Sequence, residues 1–168
     1  MGKTALALNI SLNIIKNLNL PVLFLSLEMS KEQLTYRLLT HETNINVNRL
    51  KTGNLYKDDW VNLNTIIQKL SSLPLFIDDT PNPSIQDITS KIKKIIFEQT
   101  QIGLIVIDYL QLMQNAKFPI SNRTQELSQM TRSLKNIARE FKVPIIALSQ
   151  LSRNVENRTN KRPILSDL

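Results

Sequence analysis

The sequence predicts an α/β domain with a mostly parallel sheet flanked by helices. Four short apolar runs lead to this prediction: VLFLSL at 22–27, LFID at 75–78, LIVID at 104–108 and PIIALS at 144–149. Apart from Ser26 and the polar residue that ends each of the other three runs, the runs are continuously apolar rather than alternating, which is typical of strands buried on both faces. Segments with helical periodicity separate the runs, and strand alternating with helix favours a parallel order.

The apolar periodicity predicts five helices around these strands. They are expected over residues 3–17, from Ser30 to about Thr40, over 57–70, from Ser84 onward, and over 124–141. Ser30 followed by Gln33 is the pattern of a capping box, and Ser84 is a suitable N-cap.

Three of the helices have an apolar stripe that is expected to face inward. The stripes are Leu6, Ile10, Ile14 and Ile15 in the first helix, Ile85, Ile88, Ile92, Ile95 and Ile96 in the fourth, and Leu127, Met130, Leu134, Ile137 and Phe141 in the last. Trp60 and Phe97 lie at helical spacing and are interpreted as core residues, with base-stacking platforms as the alternative. The polar segments 114–122 and 152–163 are expected to be mobile loops.

Composition limits the kinds of site that the chain can hold. The 168 residues are 42% hydrophobic and 21% charged, which fits one globular domain over residues 1–168. The sequence has no cysteine, so a disulfide framework and a thiolate metal site are excluded. His41 is the single histidine, which excludes a histidine cluster for zinc or a histidine-based triad. We expect His41 to be solvated near a helix end.

The net charge of +7 and pI near 9.8 make a polyanionic partner plausible. The charge is spread along the chain without a block of like charges, so a solvated basic surface explains it equally well. No segment has the form of a targeting signal, and the apolar stretch LPVLFLSL is too short to cross a bilayer. The sequence therefore predicts a soluble protein with no membrane contact.

Polar side chains stand where the predicted strands end. They are Glu28, Asp78 with Asp79, Asp108 and Gln150. In an open parallel sheet, the ligand crevice lies beyond the carboxyl ends of the strands, so these side chains are expected along one edge. Asp78 and Asp79 are adjacent and would point to opposite faces, so capping of the following turn explains them better than a catalytic pair.

The triplet Gly2-Lys3-Thr4 opens the first helix and is the second half of a phosphate-binding loop signature. Alone it is a weak signal, because short matches arise by chance and an ordinary helix start has the same form. Asp108 strengthens it, since an apolar run ending in aspartate holds Mg²⁺ in P-loop ATPases together with the threonine hydroxyl. The sequence therefore predicts an ATP and Mg²⁺ site, with Thr4 and Asp108 at the metal.

Hydrolysis also requires a group that orients and deprotonates the attacking water. In many such ATPases a glutamate follows the strand-end aspartate, but here Tyr109 follows Asp108. Glu28 is therefore the best candidate for the catalytic base, although an exposed charge beside a helix is the alternative interpretation. Gln150 is predicted to sense the terminal phosphate, with a simple loop residue as its alternative.

Four segments together resemble a known family. MGKTALALNI, FLSLEMSKEQLTYRLL, LIVIDYLQLM and IIALSQLSRNVENRTNKRPILSDL are similar to the motor domain of bacterial-type, DnaB-like replicative DNA helicases. The resemblance covers essentially the whole chain. It implies a RecA-like P-loop core, a homohexameric ring around single-stranded DNA, and ATP-driven 5′ to 3′ translocation that unwinds duplex DNA at the replication fork. Primase and a loader are the partners that it implies.

The same resemblance assigns roles to individual residues. Gly2, Lys3 and Thr4 match the end of the Walker A motif, with Lys3 on the phosphates and Thr4 on Mg²⁺. Glu28 matches the catalytic glutamate and Asp108 the Walker B aspartate. Gln150 matches the glutamine that links the nucleotide state to DNA.

The chain departs from the family pattern at both ends. The family has a strand and turn before Gly-Lys-Thr, and continues past SDL into DNA-binding loop residues and an arginine finger. These are missing, so the RecA-like core is expected to be incomplete at both ends and the chain to be a fragment. The absence of an arginine finger lowers the rate of related phosphoryl transfers by a factor of roughly 10³ to 10⁵. This polypeptide alone is therefore expected to be a weak ATPase.

Two other readings remain open from the sequence. One is a non-catalytic nucleic-acid-binding or interaction fragment, which the basic balance and the tail 152–162 favour. The other is a different RecA-like ATPase, against which the segments SLEMSKEQL and IDYLQLM argue. The expected location is the bacterial cytoplasm or the plastid stroma, and the abundance of asparagine, isoleucine and lysine favours the plastid.

Overall fold

A computed structural model describes residues 2–113 and 123–151, together with 160 and 162. The helices are α1 (Lys3–Leu18), α2 (Lys31–Thr43), α3 (Val47–Thr52), α4 (Lys57–Ser71), α5 (Ile85–Gln99) and α6 (Arg123–Glu140), with one 3₁₀ turn at Leu110–Leu112. The strands are β1 (Val22–Ser26), β2 (Leu75–Asp78), β3 (Leu104–Asp108) and β4 (Ile145–Ala147). The predicted elements are present, with ends that differ by a few residues.

The four strands form one parallel sheet in the order β2-β1-β3-β4. Leu25 of β1 lies opposite Asp78 of β2, and Ser26 lies opposite Asp108 of β3. The register therefore brings the carboxyl ends of β1, β2 and β3 to the same edge. This confirms the predicted α/β class and the parallel sheet.

Helices cover both faces of the sheet, which explains why the strands are apolar throughout. On one face Val22, Phe24, Leu104 and Val106 pack with buried residues of α1 and α2. On the other face the alternate residues Leu23, Leu25, Ile105 and Ile107 pack with buried residues of α5 and α6. The two central strands β1 and β3 are buried along their whole length, as predicted for strands covered on both faces. The two edge strands β2 and β4 are only half-buried, and Ala147 is exposed, so full burial of these two strands was wrongly predicted.

The predicted helix starts are present with their caps. Ser30 Oγ accepts the N–H of Gln33, and the Gln33 side chain accepts the N–H of Ser30. Ser84 forms the equivalent capping box with Asp87, and the hydrogen bond from Ser84 lowers the pKa of Asp87. These reciprocal bonds satisfy backbone donors that a helix start leaves unpaired.

Three apolar residues lie on the surface, contrary to the sequence prediction. Leu6 is 62% exposed, because the buried face of α1 is formed by Ala7, Leu8, Leu12 and Ile15. Phe97 is 91% exposed and Trp60 is 49% exposed. Both were interpreted as core residues from helical spacing, but each lies away from the buried side of its helix. The short helix α3 was not predicted; it has no buried residue that would mark an apolar stripe.

Asp78 and Asp79 have separate roles, of which one was predicted. Asp78 Oδ1 accepts the N–H of Thr80 at 2.8 Å, which confirms the predicted turn cap. Burial raises the pKa of Asp78, but hydrogen bonds from Lys91 and Thr80 outweigh it and the net shift is downward. Asp79 instead accepts the N–H of Lys31 at 3.0 Å and so caps the first turn of α2.

Segment 114–122 and most of 152–163 lie outside the described residues, and the loop prediction for them stays a prediction. Within the described ranges, each helix is too short or too polar to cross a bilayer.

Candidate active site

The site begins with a contact between the first helix and the end of the third strand. Thr4 lies in the first turn of α1, and its Oγ1 donates a hydrogen bond of 2.6 Å to Oδ2 of Asp108. Thr4 is 8% exposed and Asp108 is fully buried. The two residues predicted to hold a metal ion are therefore neighbours at the carboxyl edge of the sheet.

Asp108 keeps one oxygen without a hydrogen-bond partner. Its Oδ1 is buried and accepts no hydrogen bond from any part of the chain that the structure describes. A buried polar atom of this kind is costly unless a ligand completes it. An acidic oxygen beside a hydroxyl is a donor set that suits Mg²⁺, which is bound through one or two protein oxygens plus phosphates and waters. The described residues contain no larger cluster of metal-ligating side chains.

Lys3 lies at the N-terminus of α1 against an aromatic ring. Its Nζ is 4.2 Å from the centroid of the Tyr109 ring, which is within the range of a cation–π interaction. Both residues are half-buried. The ammonium group therefore stands at the helix N-terminus, where backbone N–H groups and the helix dipole also attract anions.

Glu28 lies in the turn that follows β1. Ser26 Oγ donates to the backbone C=O of Met29 at 2.6 Å and so closes this turn. The N–H of Leu27 donates to the backbone C=O of Asp108 at 2.7 Å. These bonds fix the turn to the end of β3, while the Glu28 side chain stays exposed to solvent.

Gln150 is half-buried three residues beyond β4. Its N–H donates to Gln111 Oε1 at 3.3 Å, and its C=O accepts from Gln111 Nε2 at 3.0 Å. The backbone of Gln150 is thus held by a residue of the 3₁₀ turn that follows Asp108.

A cavity of about 190 Å³ gathers the predicted site residues. It is lined by Gly2, Lys3, Thr4, Ala5, Glu28, Met29, Arg37 and Gln150. Asp108 lies behind Thr4, to which it is hydrogen-bonded. All six predicted residues therefore meet at one edge of the sheet. Together with Arg37, they bring two cations, two carboxylates and a helix N-terminus to this edge.

A larger cavity of about 600 Å³ lies beside the first, between α1, α2 and α3. The two share Ala5, Met29 and Arg37. The larger cavity contains neither Lys3, Glu28 nor Gln150 in its wall, so its size does not make it the better candidate for phosphate chemistry. The smaller cavity has the charged groups that such chemistry requires.

Sequence reasoning missed Arg37, Ser26 and Gln111. Arg37 follows Gln33 by one helical turn, so the two side chains lie on the same side of α2. Because α2 starts close to Glu28, this polar pair was the signal that could have identified Arg37. Gln111 lies within the IDYLQLM segment, but its spacing alone does not indicate what its amide contacts. For Gly2 the structure gives no steric requirement, because a Cβ there would meet nothing within 4 Å.

The chain matches the family model described as "DnaB-like helicase C terminal domain" over residues 1–168. The chain belongs to this family. It is 70% identical over 168 residues to a "Probable replicative DNA helicase" of Trieres chinensis, covering 100% of this chain and 37% of that protein. It is 54% identical over 169 residues to the "Replicative DNA helicase DnaB" of Nostoc sp., covering 100% of this chain and 19% of that protein.

Solved structures agree with this assignment. A solved structure described as an ATPase domain superposes with a TM-score of 0.90 at 39% identity, covering 99% of this chain and 59% of that one. A structure described as that of a DnaB-like replicative helicase and its interactions with primase also superposes with a TM-score of 0.90 at 39% identity, covering 99% of this chain and 40% of that one. The RecA-like fold of the DnaB-like family is thereby confirmed. The chain spans 37% and 19% of the lengths of the two curated relatives described above.

Proposed function

We propose that this domain is the ATP-hydrolysing motor of a replicative DNA helicase, which moves 5′ to 3′ on single-stranded DNA and unwinds the duplex at the fork. One observation carries the proposal: Thr4 Oγ1 and the buried Asp108 carboxylate are 2.6 Å apart, with Asp108 Oδ1 lacking a partner among the described residues. Membership of the DnaB-like family supports it independently.

Lys3 and the start of α1 bind the phosphates of ATP in this proposal. The ammonium group of Lys3 leaves the Tyr109 ring, 4.2 Å away, for the more negative β- and γ-phosphate oxygens. Gly2 is the N-cap of α1 and lies in the cavity wall, and the N–H groups of the first helical turn contribute further donors. Arg37, in the wall of the same cavity, adds a second positive charge.

Thr4 and Asp108 hold Mg²⁺ through the hydroxyl and the carboxylate. When bound, the metal ion neutralises charge on the phosphate oxygens during transfer. Asp108 is fully buried, so its charge acts with little screening by water. The 2.6 Å bond from Thr4 keeps both ligands in one orientation before the nucleotide arrives.

Glu28 acts as the base for hydrolysis. Its carboxylate accepts a proton from the water that attacks the γ-phosphorus, while the bond from that phosphorus to the bridging oxygen breaks. The turn that carries Glu28 is fixed to Asp108 by the Leu27 N–H bond of 2.7 Å, so base and metal ligand keep a constant spacing. Gln150, in the same cavity wall, contacts the terminal phosphate and responds to its loss.

Single-stranded DNA, further copies of the same chain, primase and a loader are the partners of the proposed helicase. Exposed apolar side chains support an assembly: Tyr56, the N-cap of α4, and Trp60, Val61 and Ile67 within this helix are each at least 44% exposed. We propose a homohexamer on this basis and on family membership. Relatives in Trieres chinensis and Guillardia theta support the plastid stroma as its location, with the bacterial cytoplasm as the alternative.

The experiment compares the natural polypeptide that carries this domain with its Lys3→Ala variant. Unwinding of a forked DNA and ATP hydrolysis are measured with and without Mg²⁺ and single-stranded DNA. We expect both activities in the unsubstituted protein and a loss of at least about a hundredfold in the variant, because phosphate stabilisation is lost. Lys93→Ala, on the exposed side of α5, is the matched control and should leave both activities unchanged.

The outcome separates a motor from a passive binder of nucleic acid. A passive binder would bind DNA with a strong dependence on salt and would not respond to ATP and Mg²⁺. That result in the unsubstituted protein would contradict the proposed function.

A further inference from the structure

The segments that follow β3 and β4 stay paired beyond the ends of both strands. Ile107 and Ala147 are the last pair of the regular ladder. Past them, the N–H of Leu148 donates to the C=O of Ile107 at 2.9 Å, and the N–H of Leu110 donates to the C=O of Leu148 at 3.0 Å. The chain after Asp108 therefore lies alongside the chain before Gln150.

The side chain of Gln111 extends this pairing by one more step. Its Oε1 accepts the N–H of Gln150 at 3.3 Å, and its Nε2 donates to the C=O of Gln150 at 3.0 Å. Nε2 also donates to Ser149 Oγ at 2.6 Å. A primary amide offers an acceptor and two N–H donors, and here it replaces the peptide group that a longer β3 would supply. Only this orientation of the amide matches both backbone groups of Gln150.

We infer that Gln111 is a positioning residue that fixes the backbone of Gln150 beside the phosphate site. The inference rests on the proposed function, in which the Gln150 side chain senses the terminal phosphate. Gln150 lies beyond the regular sheet, so the amide of Gln111 replaces the missing strand pairing there. In the described part of the chain, the two hydrogen bonds from the Gln111 amide are what connects the Gln150 backbone to the 3₁₀ turn.

One short segment thereby contacts both sides of the cavity. Asp108 accepts from Thr4, Tyr109 lies against Lys3, and Gln111 holds Gln150. A displacement of this segment when nucleotide binds at Thr4 is passed directly to Gln150. Gln111 therefore serves communication between the nucleotide and Gln150 rather than nucleotide binding itself.

The test replaces Gln111 by methionine in the natural polypeptide, because methionine has a similar length and makes none of these hydrogen bonds. For the unsubstituted protein and the variant, we would measure kcat and KM for ATP with and without single-stranded DNA, and the Kd for Mg·ADP. We expect kcat to fall about tenfold and the stimulation by DNA to disappear. The Kd for Mg·ADP should stay within about twofold, since Lys3, Thr4 and Asp108 are untouched. Gln86→Met, exposed on α5, is the matched control.

A second variant tests whether the effect passes through the observed contacts. Ser149→Ala removes the bond from Gln111 Nε2 to Ser149 Oγ and leaves the two bonds to the Gln150 backbone, so we expect a smaller loss of kcat. In the Gln111→Met background the same change should have no further effect, because that bond is already absent.

Wild-type kcat and DNA stimulation in Gln111→Met would overturn the inference. A parallel loss of kcat, Mg·ADP affinity and the free energy of unfolding would also overturn it, because it would indicate a general structural role. Hydrogen exchange at the Gln150 N–H is a readout that does not depend on activity. Faster exchange at the Gln150 N–H in Gln111→Met supports the inference, and unchanged exchange contradicts it. This result can be read even if the unsubstituted protein does not unwind DNA and the proposed function has failed. Where Gln111→Met does not fold, Ser149→Ala is judged by the same two measurements.

Discussion

The hydroxyl of Thr4 and the carboxylate of Asp108 are joined by a hydrogen bond of 2.6 Å, although 104 residues separate them in the chain. The bond connects the first turn of α1 to the end of β3, so the phosphate-binding end of a helix and an acidic strand end form one unit. Because Asp108 is fully buried, this bond contributes to folding as well as to the site.

Thr4→Val is expected to lower the free energy of unfolding by about 1–3 kcal/mol, because it leaves the buried carboxylate without its hydroxyl donor. Thr4→Ser keeps the donor and should restore most of the loss. Urea unfolding measures both. Thr65→Val, on the exposed side of α4, is the control and should change stability by less than about 0.5 kcal/mol. An equal loss in the two valine variants would show that the contact with Asp108 contributes nothing specific.

Tyr109→Leu should reduce the free energy of unfolding by about 0.5–2 kcal/mol, because it removes the ring that lies 4.2 Å from the Lys3 ammonium group. Tyr109→Phe keeps the ring and should be close to the unsubstituted protein. When Lys3→Met is added to each variant, Tyr109→Leu and Tyr109→Phe should have the same free energy of unfolding. Persistence of that difference would mean that ring packing, and not the cation, is responsible.

Glu28→Gln tests the assignment of the catalytic base. The amide keeps the size of the side chain but cannot accept a proton, so kcat for ATP hydrolysis should fall by at least about a hundredfold. The affinity for Mg·ADP should be unchanged, because the exposed Glu28 does not hold the phosphates in the proposed mechanism. Glu98→Gln, exposed on α5, is the control. Normal turnover in Glu28→Gln would assign the base to another residue.

The contact between Lys16 and Glu42 predicts a pH-dependent contribution to stability. Lys16 Nζ lies 2.6 Å from Glu42 Oε1, and this hydrogen bond lowers the pKa of Glu42 below its ordinary value of 4.5. A lowered pKa means that the stabilisation is complete above the ordinary value and is lost as the pH falls through the lower, folded-state value.

Glu42→Gln should therefore be less stable than the unsubstituted protein by about 0.5 kcal/mol at pH 7. The difference should shrink as the pH falls below 4.5 and disappear once the pH has passed through the lower folded-state pKa of Glu42, where the carboxylate is protonated in the folded protein as well. Urea unfolding at a series of pH values, repeated in high salt to screen the pair, measures this. A difference that is constant with pH would argue against the ion pair as its source.

The sheet and the edge that carries the site were predictable from local pattern. Continuous apolar runs indicated strands buried on both faces, and Glu28 and Asp108 ended two of them. Because parallel strands finish at one edge, strand ends far apart in sequence could be placed together without knowing any contact. The helix starts at Ser30 and Ser84 were predictable for a similar reason, since a capping box is local.

Side-chain relationships across the fold were not predictable from the same pattern. Helical spacing identified the buried side of α5 correctly, since Ile88, Ile92 and Ile95 are buried as predicted. Phe97 lies off that stripe, and placing it in the core was wrong. Gln111 and Gln150 are 39 positions apart in the chain. Their contact depends on the paths that the two segments take beyond the ends of β3 and β4. α3 lacks buried residues and so leaves no periodic signal.

The order of the strands has a practical consequence for work with this polypeptide. In the described part of the chain, β2 and β4 each pair on one side only. An edge strand of this kind can accept a strand from another molecule, and both edge strands are short and largely apolar. Preparations of these 168 residues alone should therefore be kept dilute and checked for concentration-dependent light scattering before any loss of activity is attributed to a substitution.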